Sequence, residues 1–133
     1  EVLNQLHRRF PEKKIILTCS GHVREKTKMS ALLAALDFKP WRVFAGELDL
    51  LELAALLQSS SLHLGGDSGG LHVAWMTGVP TVTWFRRYDG LPDWQPVGKL
   101  HRSVIGERAP GGLNGIRTPE IMATAEDLLN TGR

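Results

Sequence analysis

Long apolar runs are missing from this 133-residue chain. None approaches the roughly 18 residues that a membrane helix needs, and no signal-peptide pattern opens it. A transmembrane segment is therefore not expected. Cysteine occurs once, as Cys19, so a disulfide-stapled secreted scaffold is excluded and a reducing compartment fits. Because Cys19 ends the apolar run from Ile15, it reads as a small buried hydrophobe. Charge of one sign is scarce as well: 16 Lys and Arg stand against 14 Asp and Glu, a net charge of +2. The basic residues are scattered and never interleave with aromatics, so nucleic-acid binding is not expected. Internal repeats and low-complexity tracts are absent, and no spacing of His, Cys, Asp and Glu reads as a metal site. Neither metal nor cofactor is expected.

What remains is an ordinary globular composition, with 42% hydrophobic and 23% charged residues, and length for one domain with a core. Helical and extended patterns alternate along it. Val2, Leu3, Leu6 and Phe10 mark a helix face that Pro11 ends. Lys13 to Cys19 reads as a buried strand, and Met29, Leu32, Leu33 and Leu36 predict a helix from about Glu25 to Asp37. Trp41 to Phe44 is strand-like. Asp49 with Glu52 three residues on forms a capping box for a helix presenting Leu50, Leu53, Ala54 and Leu57. Leu62 to Leu64, a helix from about Ser68 to Thr77, and a strand from Thr81 to Phe85 follow. Residues 86–117, rich in Gly and Pro, read mostly as loop, with a further strand at Arg102 to Ile105. Thr118 as N-cap and Pro119 at the first position open a last helix with Ile121, Ala125, Leu128 and Leu129 on its core face. The expected fold class is α/β: a Rossmann-like, mostly parallel sheet with helices on both faces. Right-handed crossovers place its strand-to-helix loops on one edge, where such sheets bind ligands.

Two of those loops stand out: Ser20 to Glu25, and the run Gly65-Gly66-Asp67-Ser68-Gly69-Gly70-Leu71-His72. Gly66 to Gly70 alone reproduces the nucleophile motif of chymotrypsin-like serine proteases. The context removes that reading. Those enzymes are all-β, longer, disulfide-bearing and ordered His, Asp, Ser, whereas the flanks here are helical in period. The other reading is a strand, a turn of small residues and a helix whose N-terminal N–H groups can hold a phosphate. Ser68 is explained equally by a plain N-cap, but a cap does not require a glycine on each side. His72 lies about one turn further along the same face. It reads either as a packed helical histidine or as a second group for the same anion.

From Asp67 to Phe85 the pattern Asp-Ser-Gly-x-x-His-x-Ala-x-x-x-Gly-x-Pro-x-Val-x-x-Phe resembles the signature of the ADP-heptose:lipopolysaccharide heptosyltransferases, glycosyltransferase family 9. Gly21-His22-Val23-Arg24-Glu25 resembles the family's Gly-x-x-x-Glu. Ala45 to Leu57 resembles its Gly-x-x-Ser-Leu-x-Glu-x-Ala segment, and Asp93 to Gly98 its Trp-Gly-Pro-x-Gly loop. The resemblance implies that residues 1–133 are the C-terminal, donor-binding domain of a two-domain GT-B enzyme. It assigns Ser68, Gly69 and His72 to the donor pyrophosphate and Asp67 to the donor sugar hydroxyls. Glu25 would take the ribose hydroxyls, and Leu48 would touch the base through its main chain. Read from the residues alone, Glu25 is equally an acid favoured at a helix start.

Departures from the family pattern matter too. The family's general base is a carboxylate of the N-terminal domain, so no catalytic residue is expected within this chain. The Lys of a Lys-x-Trp-Pro-type motif falls upstream of Glu1, and a start without Met, directly into a helix, reads as part of a longer protein. After Phe85 the usual Gly-Pro-Thr is replaced by Arg86-Arg87-Tyr88. Arg86 and Arg87 are candidate phosphate contacts, or simply exposed loop cations. The implied function is inverting transfer of a sugar, a heptose, from an ADP-sugar to a lipopolysaccharide-type or other glycan acceptor. The isolated domain is expected to be inactive, and the location cytoplasmic or peripheral at the inner face of the bacterial inner membrane. The alternatives are a non-catalytic nucleotide-sugar-binding module and a GT-B-like sugar-nucleotide epimerase.

Overall fold

The computed structural model describes residues 1–107 and 112–131. The chain divides into two compact units, one ending at Glu52 and one beginning at Leu53.

The first unit contains α1 (Val2–Arg9), β1 (Ile16–Cys19), α2 (Val23–Ala34) and β2 (Arg42–Ala45). β1 and β2 pair in parallel, Ile16 opposite Arg42 and Cys19 opposite Ala45. Polar bonds dock α1 on the end of α2. Asn4 donates to the Ala35 carbonyl at 3.2 Å and accepts from the Asp37 N–H at 3.2 Å. Arg8 pairs with Asp37, and the His7 ring stacks on Phe38 at 4.2 Å. Those bonds explain why α2 stops at Ala34 rather than near Asp37: the Asp37 N–H is held by Asn4 instead of a helical carbonyl. β1 is also shorter than the apolar run. The Lys13 N–H closes the turn after α1 on the Phe10 carbonyl, Lys13 and Lys14 are exposed, and only Leu17 of the strand is buried. Cys19 is half-buried, which corrects the reading of a buried residue.

Next along the chain comes α3 (Leu50–Gln58), opened by the capping box read from the sequence. The Asp49 carboxylate accepts from the Glu52 N–H, and the Glu52 carboxylate from the Asp49 N–H, each at 2.8 Å.

In the second unit follow β3 (His63–Gly66), α4 (Gly69–Met76), β4 (Thr81–Phe85), α5 (Leu91–Trp94), β5 (His101–Ile105), a short 3₁₀ turn (Gly112–Gly115) and α6 (Thr118–Thr131). The sheet order is β3-β4-β5, parallel throughout. Successive residues of a strand point to opposite faces. On β5, His101 meets Trp75 of α4 edge-on, while its neighbour Arg102 pairs with Asp127 of α6 at 3.8 Å. Helices therefore cover both faces of this sheet. Central β4 is the deepest element, with Thr81, Val82, Thr83 and Phe85 all buried. Leu57, Ala74 and Val79 make one apolar cluster, and Leu71, Phe85 and Leu91 another.

Residues 86–117 contain β5 where a strand is expected at Arg102 to Ile105, and also α5 and the 3₁₀ turn, where the sequence reads as loop, while 108–111 lie outside the described residues. Pro92 misleads because proline is tolerated in the first turn of a helix, where it sits in α5. On α6, Met122 rather than Leu129 joins Ile121, Ala125 and Leu128 in the core. The helix begins at Thr118 itself.

Candidate functional site

In the second unit, parallel pairing brings the C-terminal ends of β3, β4 and β5 to one edge. The chain leaves β3 through Gly66, Asp67 and Ser68 and enters α4 at Gly69. Each glycine from the end of β3 to the start of α4 has its own setting. A Cβ on Gly65 would come to 2.9 Å of the His63 ring, and one on Gly66 to 3.2 Å of the Trp84 indole nitrogen, so at both positions a larger residue would press on a packed ring. Gly69 is different. Nothing lies within 4 Å of where its Cβ would stand, and its φ is not in the left-handed range. Neither packing nor conformation demands a glycine there, although glycine weakens a helix by up to about 1 kcal/mol relative to alanine. Room for close approach to the backbone is the remaining physical reason.

Ser68 occupies the N-cap with extended backbone (φ −158°, ψ 165°), yet its side chain makes no capping bond. The plain N-cap explanation for this serine is thereby set aside. Its carbonyl accepts from the Leu71 N–H at 3.1 Å, and among the described residues no partner takes the N–H groups of Gly69 and Gly70. A helix start in this state offers what an anion needs: free N–H donors, a spare hydroxyl and the positive end of the helix dipole. Asp67, Ser68 and Gly69 are all exposed.

His72 follows on the same helix, half-buried, its ring edge-on to Trp94 of α5 at 6.0 Å. Arg86 and Arg87 leave the end of β4 on the same edge, both exposed; the Arg86 stem runs by Gly112. Sequence reasoning gave no role to Tyr88 or Trp94, and both border this turn. Tyr88 packs against the Leu71, Phe85 and Leu91 cluster. Its phenol is held above its usual range by partial burial first and then by the negative charges of Asp67 and Asp93. The replacement of Gly-Pro-Thr by a segment ending in the chain's one tyrosine was the available signal. His63 stands at the other end of β3. Burial lowers its pKa to about 4, and its Nδ1 has no partner among the described residues, so it belongs to the core.

The first unit carries the other two candidates. The loops after β1 and β2 touch where Gly46, at φ 101°, crosses Gly21; a Cβ on Gly46 would lie 2.5 Å from the Gly21 Cα. Only glycine fits this crossing. Beside it, an open recess of about 490 Å³ is lined by His22, Val23, Arg24 and Glu25. Glu25 lies in the first turn of α2, with Lys28 at 3.4 Å, and Leu48 lies half-buried in the loop from β2 to α3. Glu25 and Leu48 thus share the strand-to-helix edge of the first unit. Asp67, Ser68, Gly69, His72, Arg86 and Arg87 share that of the second.

Comparison with known proteins agrees with this fold. The structure is similar to the crystal structure of the glycosyl transferase family 9 from Veillonella parvula DSM 2008, with a TM-score of 0.73 at 20% sequence identity. The similarity covers 98% of this chain but 41% of that one, so the chain spans about two-fifths of its length. No curated protein matches. The family model for glycosyltransferase family 9 (heptosyltransferase) matches residues 1–110. That match runs from α1 through β5 and takes in every candidate residue of both edges, and by it the chain belongs to glycosyltransferase family 9.

Proposed function

We propose that residues 1–133 form the donor-binding domain of an inverting, two-domain glycosyltransferase. The full protein moves a sugar, a heptose, from an ADP-sugar to a lipopolysaccharide-type or other glycan acceptor. The observation that carries this reading is the start of α4, where Gly69 answers no internal demand and the Ser68 hydroxyl is left uncommitted. In this reading the donor diphosphate sits on the N–H groups of Gly69 and Gly70, with the Ser68 hydroxyl and the His72 ring beside it. Arg86 and Arg87 add positive charge as the diphosphate departs. The Asp67 carboxylate accepts bonds from the transferred sugar, Glu25 accepts from the ribose hydroxyls, and the main chain at Leu48 meets the base. A carboxylate outside these residues removes the acceptor proton. The reading places the protein in the cytoplasm or at the inner face of the inner membrane; among the described residues no helix is long and apolar enough to cross a membrane.

The test has two arms. Amide-shift mapping of this chain with ADP should perturb Gly66 to His72 and the neighbourhood of Glu25, with affinity about millimolar to high micromolar. Shifts confined to α6 would refute the site. In the full-length transferase, Ser68→Ala should lower kcat/KM about tenfold, because backbone donors remain. It should leave stability unchanged, since the hydroxyl caps nothing. Asp67→Asn should lower kcat/KM about a hundredfold, because it turns an acceptor for the reacting sugar into a donor. Equal or reversed losses would show the two roles to be misassigned.

A further inference from the structure

Two stretches of the first unit meet at the edge where β1 and β2 begin. The Trp41 N–H donates to the Ile15 carbonyl at 2.8 Å, and the His7 ring of α1 stacks on Phe38. Cations that lie apart in the sequence gather there around two aromatic rings. The Lys14 ammonium stands 4.6 Å from the centre of the Trp41 ring and the Arg42 guanidinium 5.8 Å from it. The Arg9 guanidinium lies 5.8 Å from the centre of Phe10. Arg8, Lys13 and Lys39 belong to the same stretches, and all six cations are exposed. The carboxylates there are Glu12 and Asp37. Residues 7–14 and 37–42 therefore hold six cations against two acids, a net charge of +4 where the whole chain has +2. In the middle of this charge Trp41 is 54% exposed, although its backbone is pinned.

We propose that this edge is a docking surface for a bilayer rich in anionic lipid, with the Trp41 ring among the headgroups and the flanking cations on lipid phosphates. An indole is apolar in body and polar at its N–H, the combination that settles at a membrane–water interface. Lysine and arginine lay their aliphatic stems along apolar surface and keep the charge at the level of the phosphates. An anionic leaflet attracts such a cluster, each cation strengthening binding severalfold. The proposal stands apart from the donor-site reading. Glu25 and Leu48 lie beyond the opposite ends of these strands, so docking here leaves the recess beside Glu25 open.

Co-sedimentation of this chain with vesicles tests it. The chain should pellet with a three-to-one mixture of phosphatidylcholine and phosphatidylglycerol, and stay in solution with phosphatidylcholine alone or in high salt. Lys14→Glu should weaken binding about tenfold, since an attraction becomes a repulsion. Trp41→Ala should weaken it about fivefold. Lys26→Glu makes the same change of net charge in the first turn of α2, at the other edge, and should weaken binding less than about twofold. These side chains are exposed, so circular dichroism should be unchanged in all three variants. No binding to the anionic vesicles, or equal binding to neutral ones, overturns the proposal. So do equal losses in Lys14→Glu and Lys26→Glu, which would leave net charge alone at work, and an unaffected Trp41→Ala. Tighter binding to DNA than to the anionic vesicles at the same salt would give the surface to a different polyanion and overturn it too.

Discussion

The strands before Glu52 and those after it are all parallel and all followed by helices, yet different forces hold them. In the second unit β4 has a neighbour on each side and a helix over each face, and its side chains are removed from water almost completely. In the first unit each strand has one strand neighbour, and only Leu6, Leu17 and Met29 are buried. Large apolar groups there remain exposed: Val23 and Leu51 at 80%, Trp41 at 54%. A two-stranded pairing is marginal in water. The first unit compensates with Asn4 bonded twice to the end of α2, the Arg8–Asp37 pair, stacked rings and the capping box at Asp49. Similar alternation of elements along the chain thus produces a hydrophobic core in one place and a polar-pinned layer in the other. The number of neighbours each strand acquires makes the difference.

The largest expected effect comes from removing a side chain at the centre of the second unit. Phe85→Ala, at a ring 1% exposed, should cost about 3–5 kcal/mol in denaturant unfolding. Leu17→Ala should cost less, about 2–3 kcal/mol, because its surroundings are partly wet already. Amide exchange sharpens the contrast: β4 should be protected close to the global limit and β1 should open by cheaper local events. Equal costs and equal protection would mean that the two units are held alike.

An acid titration comes next. The folded pKa of His63 is depressed by burial from 6.5 to about 4, so the unfolded chain takes up the proton first. Above pH 6.5 both states are neutral and nothing is lost. As pH falls from 6.5 towards 4, stability should drop by up to about 3 kcal/mol and then level off. His101, lowered by burial and then by Arg102, adds a loss of the same sign. Replacing the ring by an apolar one, His63→Phe, should flatten the steep part of this limb. An unaltered slope would locate the acid sensitivity elsewhere.

The smallest effect on stability has the clearest functional reading. Gly69→Ala introduces a methyl group into open space at a helix start, so it should stabilise the fold by about 0.5 kcal/mol. The same methyl should obstruct the approach of a diphosphate and weaken ADP binding about tenfold. Gly65→Ala, which must displace the His63 ring, should instead destabilise. Gly69→Ala that destabilises the fold, or leaves ADP binding intact, would remove the argument for a ligand at α4.

Much of this was legible without coordinates because it depends on neighbours in the chain. The capping box at Asp49 and Glu52, strand β4 and the start of α4 are local patterns, and they appear where periodicity and turn chemistry put them, although β3 runs on through Gly65 and Gly66, which read as loop in the sequence. The composite motif from Asp67 to Phe85 led to the right family for the same reason, since its members follow one strand-turn-helix-strand path. What periodicity could not supply was depth. An apolar run says that a segment prefers to be buried, not how many strands will lie beside it, so Cys19 and the ends of β1 were read as deeper than they are. Nor could spacing along the chain reveal that Asn4 would take the Asp37 N–H and shorten α2. His72 of α4 and Trp94 of α5 meet edge-on above the apolar cluster of Leu71, Phe85 and Leu91. Contacts of that kind depend on closing a long loop of chain, and only the packed core sets which side chains meet there.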